Sequence, residues 1–288
     1  MPNASRSPYV WMVCGSFAFA WMSSLVHLLG PSCDWRLIAL ARSSMAFLFA
    51  AVLARATGTR LVFFHPRQLW LCSVAASVSL VCSFYALTRL PPHVVITLTN
   101  SFPMWVVVLS WPLLNERPPR TVWLAVFTGV LGVILIKRPF DNVQWVEETL
   151  ATVLALAASV STAFAMLGLH RLQGIDTLAI VVHFSGVAAL FCVGALFVGQ
   201  PVAFSAAAAA RPLLLLLAIG LTAGIGQCFM TKAFATGPPA RVSVIGLTQV
   251  VFALFLNAWL EQPSFRPCTL LGIALVMAPT AWVMLLRG

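Results

Sequence analysis

Ten apolar stretches separated by short turns leave this chain little choice of fold. They lie at 9–29, 37–54, 68–88, 93–113, 121–137, 150–169, 178–198, 212–235, 240–259 and 268–287. A helix needs about 20 apolar residues to cross a bilayer, and it pairs its own backbone groups where no water can. The breaks carry turn or charge signals, among them GPSCDWR, RLPPH, NERPPR, KRPFDNVQWVEE and TGPPAR. None leaves room for a separate soluble domain. Of the 288 residues 61% are hydrophobic and 8% charged, whereas a soluble domain carries about 25% charged residues. The expected class is an all-α membrane protein with ten transmembrane helices. The first stretch runs past the AFA at 18–20 and has only Arg6 before it, so it reads as a membrane helix and not as a signal peptide.

The formal charge of +10 does not point to nucleic acid, because no basic run or soluble domain would hold it. It follows from a scarcity of acids. With the N-terminus in the cytoplasm, the inner side holds Arg6, Arg55, Arg60, Arg67, Arg117, Arg120, Arg171, Lys232, Arg241 and Arg287. The outer side holds Arg36, Arg89, Lys137, Arg138, Arg211 and Arg266. That bias places both termini on the cytoplasmic side of the inner membrane. The seven cysteines form no CxxC pair and read as small core residues. A Cys33–Cys268 disulfide on the outer side is left open.

The chain repeats itself. With residues 86–95 (ALTRLPPHVV) laid over 233–242 (AFATGPPARV), an offset of 147, Ala86 meets Ala233, Pro91 meets Pro238, Pro92 meets Pro239 and Val95 meets Val242. Each stretch joins the third and fourth spans of its half. LNERP (114–118) and WLEQP (259–263) then close the fourth span of each half, pairing Glu116 with Glu261 and Pro118 with Pro263. Five spans per half is an odd number, so the second half enters the membrane upside down. A 5+5 inverted repeat, with units at 9–139 and 150–287, is an architecture of transporters whose site lies between the halves.

This pattern resembles the drug/metabolite transporter superfamily, specifically its EamA-type members. The resemblance rests on ALTRLPP, Pro103 in the fourth span, LNERP and GVLGVILIKRP (129–139), and on AFATGPPARVSV, VVFALF and WLEQP in the second half. It covers nearly the whole chain. It implies carriage of small polar or amphiphilic metabolites by alternating access. It also implies a cavity surrounded by the first, third and fourth helices of each half, with the fifth and tenth packed away from it. One departure concerns Val250, which stands where the family often has a second proline. A bend in half one alone is therefore expected.

The polar residues deep in the spans are the candidates for substrate contact. Pro103 cannot donate to the Thr99 carbonyl, which becomes available to a ligand, water or another helix. Asn100 beside it, with Gln227 and Gln249 in the eighth and ninth spans, either lines a cavity or bonds between helices. Trp21 and Trp105 lie mid-span, away from the interfacial belt formed by Trp11, Trp35, Trp70, Trp123 and Trp145. Each either packs or offers a ring to a flat or cationic solute. Tyr85 and Ser83 offer hydroxyls. Arg42, several residues into the second span where an Arg costs about 2.5–3.5 kcal/mol, either snorkels, pairs with Asp34 or gates. Gly129, Gly132, Gly220 and Gly224 read as close-packing positions.

The seven carboxylates, Asp34, Glu116, Asp141, Glu147, Glu148, Asp176 and Glu261, all sit in or beside loops. A midplane carboxylate relay is not expected, which favours facilitated or exchange transport. No GxSxG, HExxH, P-loop or GxGxxG occurs. Neither a catalytic site nor a cofactor or metal is expected. The reading is a secondary transporter or exporter of a small neutral, zwitterionic or cationic metabolite, amino-acid-like or nucleoside-like, acting as a monomer or homodimer. A lipid-handling enzyme or a sensor is the alternative.

Overall fold

The computed structural model describes residues 7–30, 33–64, 66–87, 89–90, 92–115, 117–137, 149–197, 210–261 and 267–285. Glu116, Asp141, Glu147 and Glu148 lie outside them. The described residues form twelve helices: α1 Ser7–Leu29, α2 Trp35–Ala56, α3 Arg67–Leu87, α4 Pro92–Thr99, α5 Phe102–Leu114, α6 Arg120–Lys137, α7 Thr149–His170, α8 Thr177–Leu196, α9 Ala210–Thr236, α10 Pro239–Gly246, α11 Thr248–Glu261 and α12 Pro267–Leu285. Ten spans account for all twelve, because the fourth (α4 and α5) and the ninth (α10 and α11) are each broken in two. Eight spans have an apolar run long enough to cross a bilayer. In α6 and α12 the run is shorter, Arg120–Leu135 and Leu270–Pro279.

The packing obeys an inverted twofold. Exchanging the first span with the sixth, the second with the seventh and so on converts α1 on α9 into α7 on α3, and both pairs are present. The same exchange relates α2 on α9 to α8 on α3, and α1 on α11 to α7 on α5. The pairs α2 with α8 and α6 with α12 map onto themselves. Helix capping marks the same symmetry. Asp34 caps α2 by accepting from Arg36 N–H, and Asp176 caps α8 by accepting from Leu178 N–H. The two second spans thus align at an offset of 142, which brings Arg42 opposite Phe184 and Ser43 opposite Ser185.

Both broken spans break at equivalent residues. At an offset of 147 the end of α4, Thr99, matches the end of α10, Gly246, and Ser101 matches Thr248. In half one, Asn100 N–H donates to Ile96 O at 2.9 Å and Ser101 N–H to Leu98 O at 3.2 Å, a tightened turn. The side chains compete for the same carbonyls: Asn100 Nδ2 donates to Ile96 O at 2.8 Å and Ser101 Oγ to Leu98 O at 2.6 Å. In half two, Leu247 N–H donates to Val244 O at 3.2 Å, Val250 N–H to Leu247 O at 3.1 Å, and Thr248 Oγ1 to Ile245 O at 2.7 Å. The expectation of a bend in half one alone is therefore overturned. A glycine and a back-bonding threonine interrupt the ninth span without proline, since Gly lowers helix propensity and Thr Oγ1 offers the carbonyls another partner.

Close approach occurs at the glycines that the spacing singled out. A Cβ on Gly132 of α6 would stand 2.7 Å from the Gly272 carbonyl oxygen of α12, and one on Gly129 would stand 2.6 Å from Leu247 Cδ1. Gly220 lies against Met45, and Gly224 against Phe49. Cys33 and Cys268 are both free.

Candidate functional site

Both span breaks open onto one cavity of about 250 Å³ between the repeats. Thr99, Asn100 and Phe102 reach it from the first break, and Gly246 and Gln249 from the second. The carbonyl ends of α4 and α10 are therefore directed at it, and a helix C-terminus carries partial negative charge. The remaining wall comes from Met12, Phe19 and Met22 of α1, Arg42 of α2, Ala76, Ser79, Leu80, Ser83 and Phe84 of α3, Thr162 and Met166 of α7, Phe184 of α8, and Gln227 and Met230 of α9. The second spans of both halves contribute, beyond the first, third and fourth implied by the family resemblance. Among the described residues, none of α6 or α12 is in the wall.

The structure brings Asn100, Gln227, Gln249 and Arg42 to this wall. Asn100 commits its amide nitrogen to Ile96 O, and its carbonyl is left out of that bond. Gln227 donates to Thr231 Oγ1 at 3.4 Å. Ser79 Oγ meets Thr162 Oγ1 at 2.7 Å across the α3–α7 pair, and Ser83 donates back to Ser79 O. Trp21, Tyr85 and Trp105 are not among the wall residues. Trp105 packs on the core formed by Tyr9, Met12, Val106, Phe234 and Ile245. Pro103 is buried and is not among the wall residues. The aromatic surface comes instead from Phe19, Phe84, Phe102 and Phe184. Sequence reasoning weighed the tryptophans because they are large and mid-span. The signal that would have found Phe184 is the shared Asp cap, which aligns it with Arg42.

Arg42 does not pair with Asp34. That carboxylate belongs to Arg36, which donates from its backbone N–H at 2.8 Å, from Nε at 3.2 Å and from Nη2 at 2.9 Å. These bonds hold the Asp34 carboxyl below its ordinary range. The Arg42 guanidinium lies 5.9 Å from the centroid of the Phe19 ring. His183 of α8 is not among the wall residues. It meets Ser73 Oγ at 2.8 Å and Phe63 O at 3.2 Å, and so ties α8 to α3 and to the segment before it.

The two sides of the cavity are closed differently. Call the side that bears Ser7 the terminus side. There α10 packs on α5 and α1, and Val242 and Ile245 join the core with Tyr9 and Phe234. On the opposite side α4 packs on α6 and α7, and α11 on α1 and α12. A larger cleft of about 370 Å³ lies between the start of α3 and the ends of α5 and α7, with Gln68 and Arg171 among mostly apolar residues. It touches neither span break, and the central cavity is the candidate site.

The EamA-like transporter family model matches residues 6–138 and 149–285. The chain is 28% identical over 255 residues to the pseudopaline exporter CntI of Pseudomonas aeruginosa strain UCBPP-PA14, covering 88% of this chain and 86% of that one. It is 24% identical over 208 residues to an uncharacterized transporter of Helicobacter pylori strain J99, covering 71% and 68%. A solved crystal structure of 18% identity superposes with a TM-score of 0.83, over 98% of this chain and all of that one.

Proposed function

The chain belongs to the EamA-like transporter family, and on that premise we propose that it is a secondary exporter which carries a small metabolite through the central cavity by alternating access. The carrying observation is that two inverted repeats each break one span, and both breaks meet at one cavity. Broken spans at the midplane supply backbone and amide groups to a solute without a water-filled pore. The repeats run over 9–139 and 150–287 in this reading. With the terminus side taken as cytoplasmic, the packed α5–α10 side closes the inner mouth. Rocking of one repeat against the other then exchanges which side is packed.

Asn100, Gln227 and Gln249 are the proposed polar contacts, and the four phenylalanines hold the apolar part of the solute. Among the described residues the wall holds no carboxylate, which supports facilitated or exchange transport over a carboxylate proton relay. Nothing in the wall suggests a bond-making step, so the protein is read as a carrier and not as an enzyme. The similarity to a pseudopaline exporter supports the outward direction and an organic solute of metabolite size.

Cells overexpressing the chain should enrich one or a few metabolites in the medium over empty-vector cells, read by untargeted mass spectrometry. Purified protein in liposomes should release those same compounds. A medium unchanged by expression, with no release of the cell's small-molecule extract from liposomes, would sink this reading.

A further inference from the structure

Arg42 is a permanent charge inside a span, and the groups around it leave that charge unanswered. A guanidinium stays protonated at any pH the protein meets. Charges placed there face a cavity or find a partner. The carboxylate nearest in sequence, Asp34, is held by Arg36, and no carboxylate pairs with Arg42 among the described residues. Arg42 lies at the edge of cation–π range over Phe19, and the Cys192 thiol is the other group described beside it. The inverted repeat puts Phe184 at the matching position, so that position supplies no countercharge.

A second observation points the same way. Behind Arg42 a recess of about 10 Å³, room for roughly one water, is lined by Arg42, Ser43, Ser185 and Gln227. Ser185 is 1% exposed, and its Oγ has no hydrogen-bond partner. Native proteins rarely leave such a group unpaired. A charged donor, a neutral amide and an unpartnered hydroxyl meet at this recess, which shares Arg42, Leu80, Phe184 and Gln227 with the central cavity. No second Lys or Arg joins them, as a phosphate dianion would favour.

On the exporter reading above, we propose that Arg42 is the anchor for a carboxylate of the transported solute, with Ser185 and Gln227 completing its hydrogen bonds. The solute is an organic carboxylate whose apolar body lies among the phenylalanines. The planar guanidinium fork matches a carboxylate in two hydrogen bonds. The site prefers an acid to its uncharged amide because only the acid satisfies the charge.

Liposomes loaded with an equimolar mixture of phenylacetate, phenylacetamide, phenylalanine, phenylalaninamide, tryptophan and tryptophanamide test this, with efflux followed by mass spectrometry. Wild type should release the acids about tenfold faster than the amides, a difference of about 1.4 kcal/mol. Arg42→Gln, which keeps a hydrogen-bond donor but neither the charge nor the full reach, should bring the rates within about twofold. Arg42→Lys should recover part of the preference. Equal release of acids and amides by wild type, a preference that survives Arg42→Gln, or release of none of the six overturns the assignment. The metabolite comparison in cells judges the exporter reading separately. Should Arg42→Gln not yield folded protein, wild type treated with phenylglyoxal gives a second readout. Phenylacetate should slow modification of Arg42, read by peptide mass spectrometry, where phenylacetamide does not. Equal rates with the two probes would overturn the anchor.

Discussion

The half-helices α4 and α10 begin alike and end up differently. Each follows a double proline, each is eight residues long, and each stops at an equivalent break. In α10 every residue from Pro239 to Gly246 but Arg241 is buried. In α4 Val95 and Thr97 are buried, while Ile96, Leu98 and Thr99 are half-buried. Equivalent segments of two inverted repeats should be interchangeable by symmetry. Their burial is unequal, and the α10 side is the more closely packed of the two. Carriers of this architecture work by exchanging such arrangements. If the chain cycles as proposed, the difference between α4 and α10 is the packing that must be undone at α10 before the other side can form.

The comparison is broken most severely by fixing it. Val107 of α5 and Val244 of α10 share one buried cluster. In a background without native cysteines, V107C/V244C should form a disulfide on mild oxidation and lose about nine-tenths or more of transport, with recovery on reduction; this follows if the packed side must open each cycle. Full transport by the cross-linked protein would show that the α5–α10 contact never opens.

A smaller effect follows from making the two breaks chemically alike. Asn100 stands opposite Leu247, so Asn100→Leu gives both halves the same residue there. Transport should fall about tenfold, since a buried amide worth about 1–2 kcal/mol to a bound solute is gone. Thermal stability should barely move, because the Asn100 amide serves its own helix end. An efflux rate matched to wild type would take Asn100 out of the site.

The smallest effect is expected where the sequence suggested the largest. Pro103→Val gives half one the residue that half two has at Val250. Because the ninth span breaks without proline, the fourth should stay broken through Asn100 and Ser101, with transport within about twofold of wild type. Hydrogen exchange at residues 99–104 reads the break directly. Strong protection appearing there would mean that proline alone makes it.

These cases show what could be read from the residues and what could not. The spans, the inverted repeat and the family were legible because bilayer thickness fixes the length of an apolar run and the Pro-Pro turns recur in order. Asn100, Gln227 and Gln249 were legible because a polar group at depth needs a partner. The facing of Trp105 and Phe102 was not. In a soluble helix the apolar face marks the core, but here lipid and protein interior are equally apolar and the pattern carries no direction. The turn tightened at Asn100 and Ser101 rotates the residues that follow, and three positions separate a cavity residue from a packed one. Arg42 could be placed in depth but not in facing, and its pairing with Phe184 emerged only when the Asp34 and Asp176 caps aligned the second spans.

If Arg42 anchors the cargo as proposed, its guanidinium also decides how the membrane voltage enters the cycle. Full transfer of one charge through 100 mV is worth about 2.3 kcal/mol, and a charge that moves part of the way feels that part. The empty site carries one positive charge. A monoanion bound to it makes the loaded carrier electrically neutral, so the field acts only on the empty return. A zwitterion leaves the loaded carrier as charged as the empty one, and the field then acts equally on both legs. Current measured across a membrane holding this protein would report the net charge of its cargo before the cargo is identified.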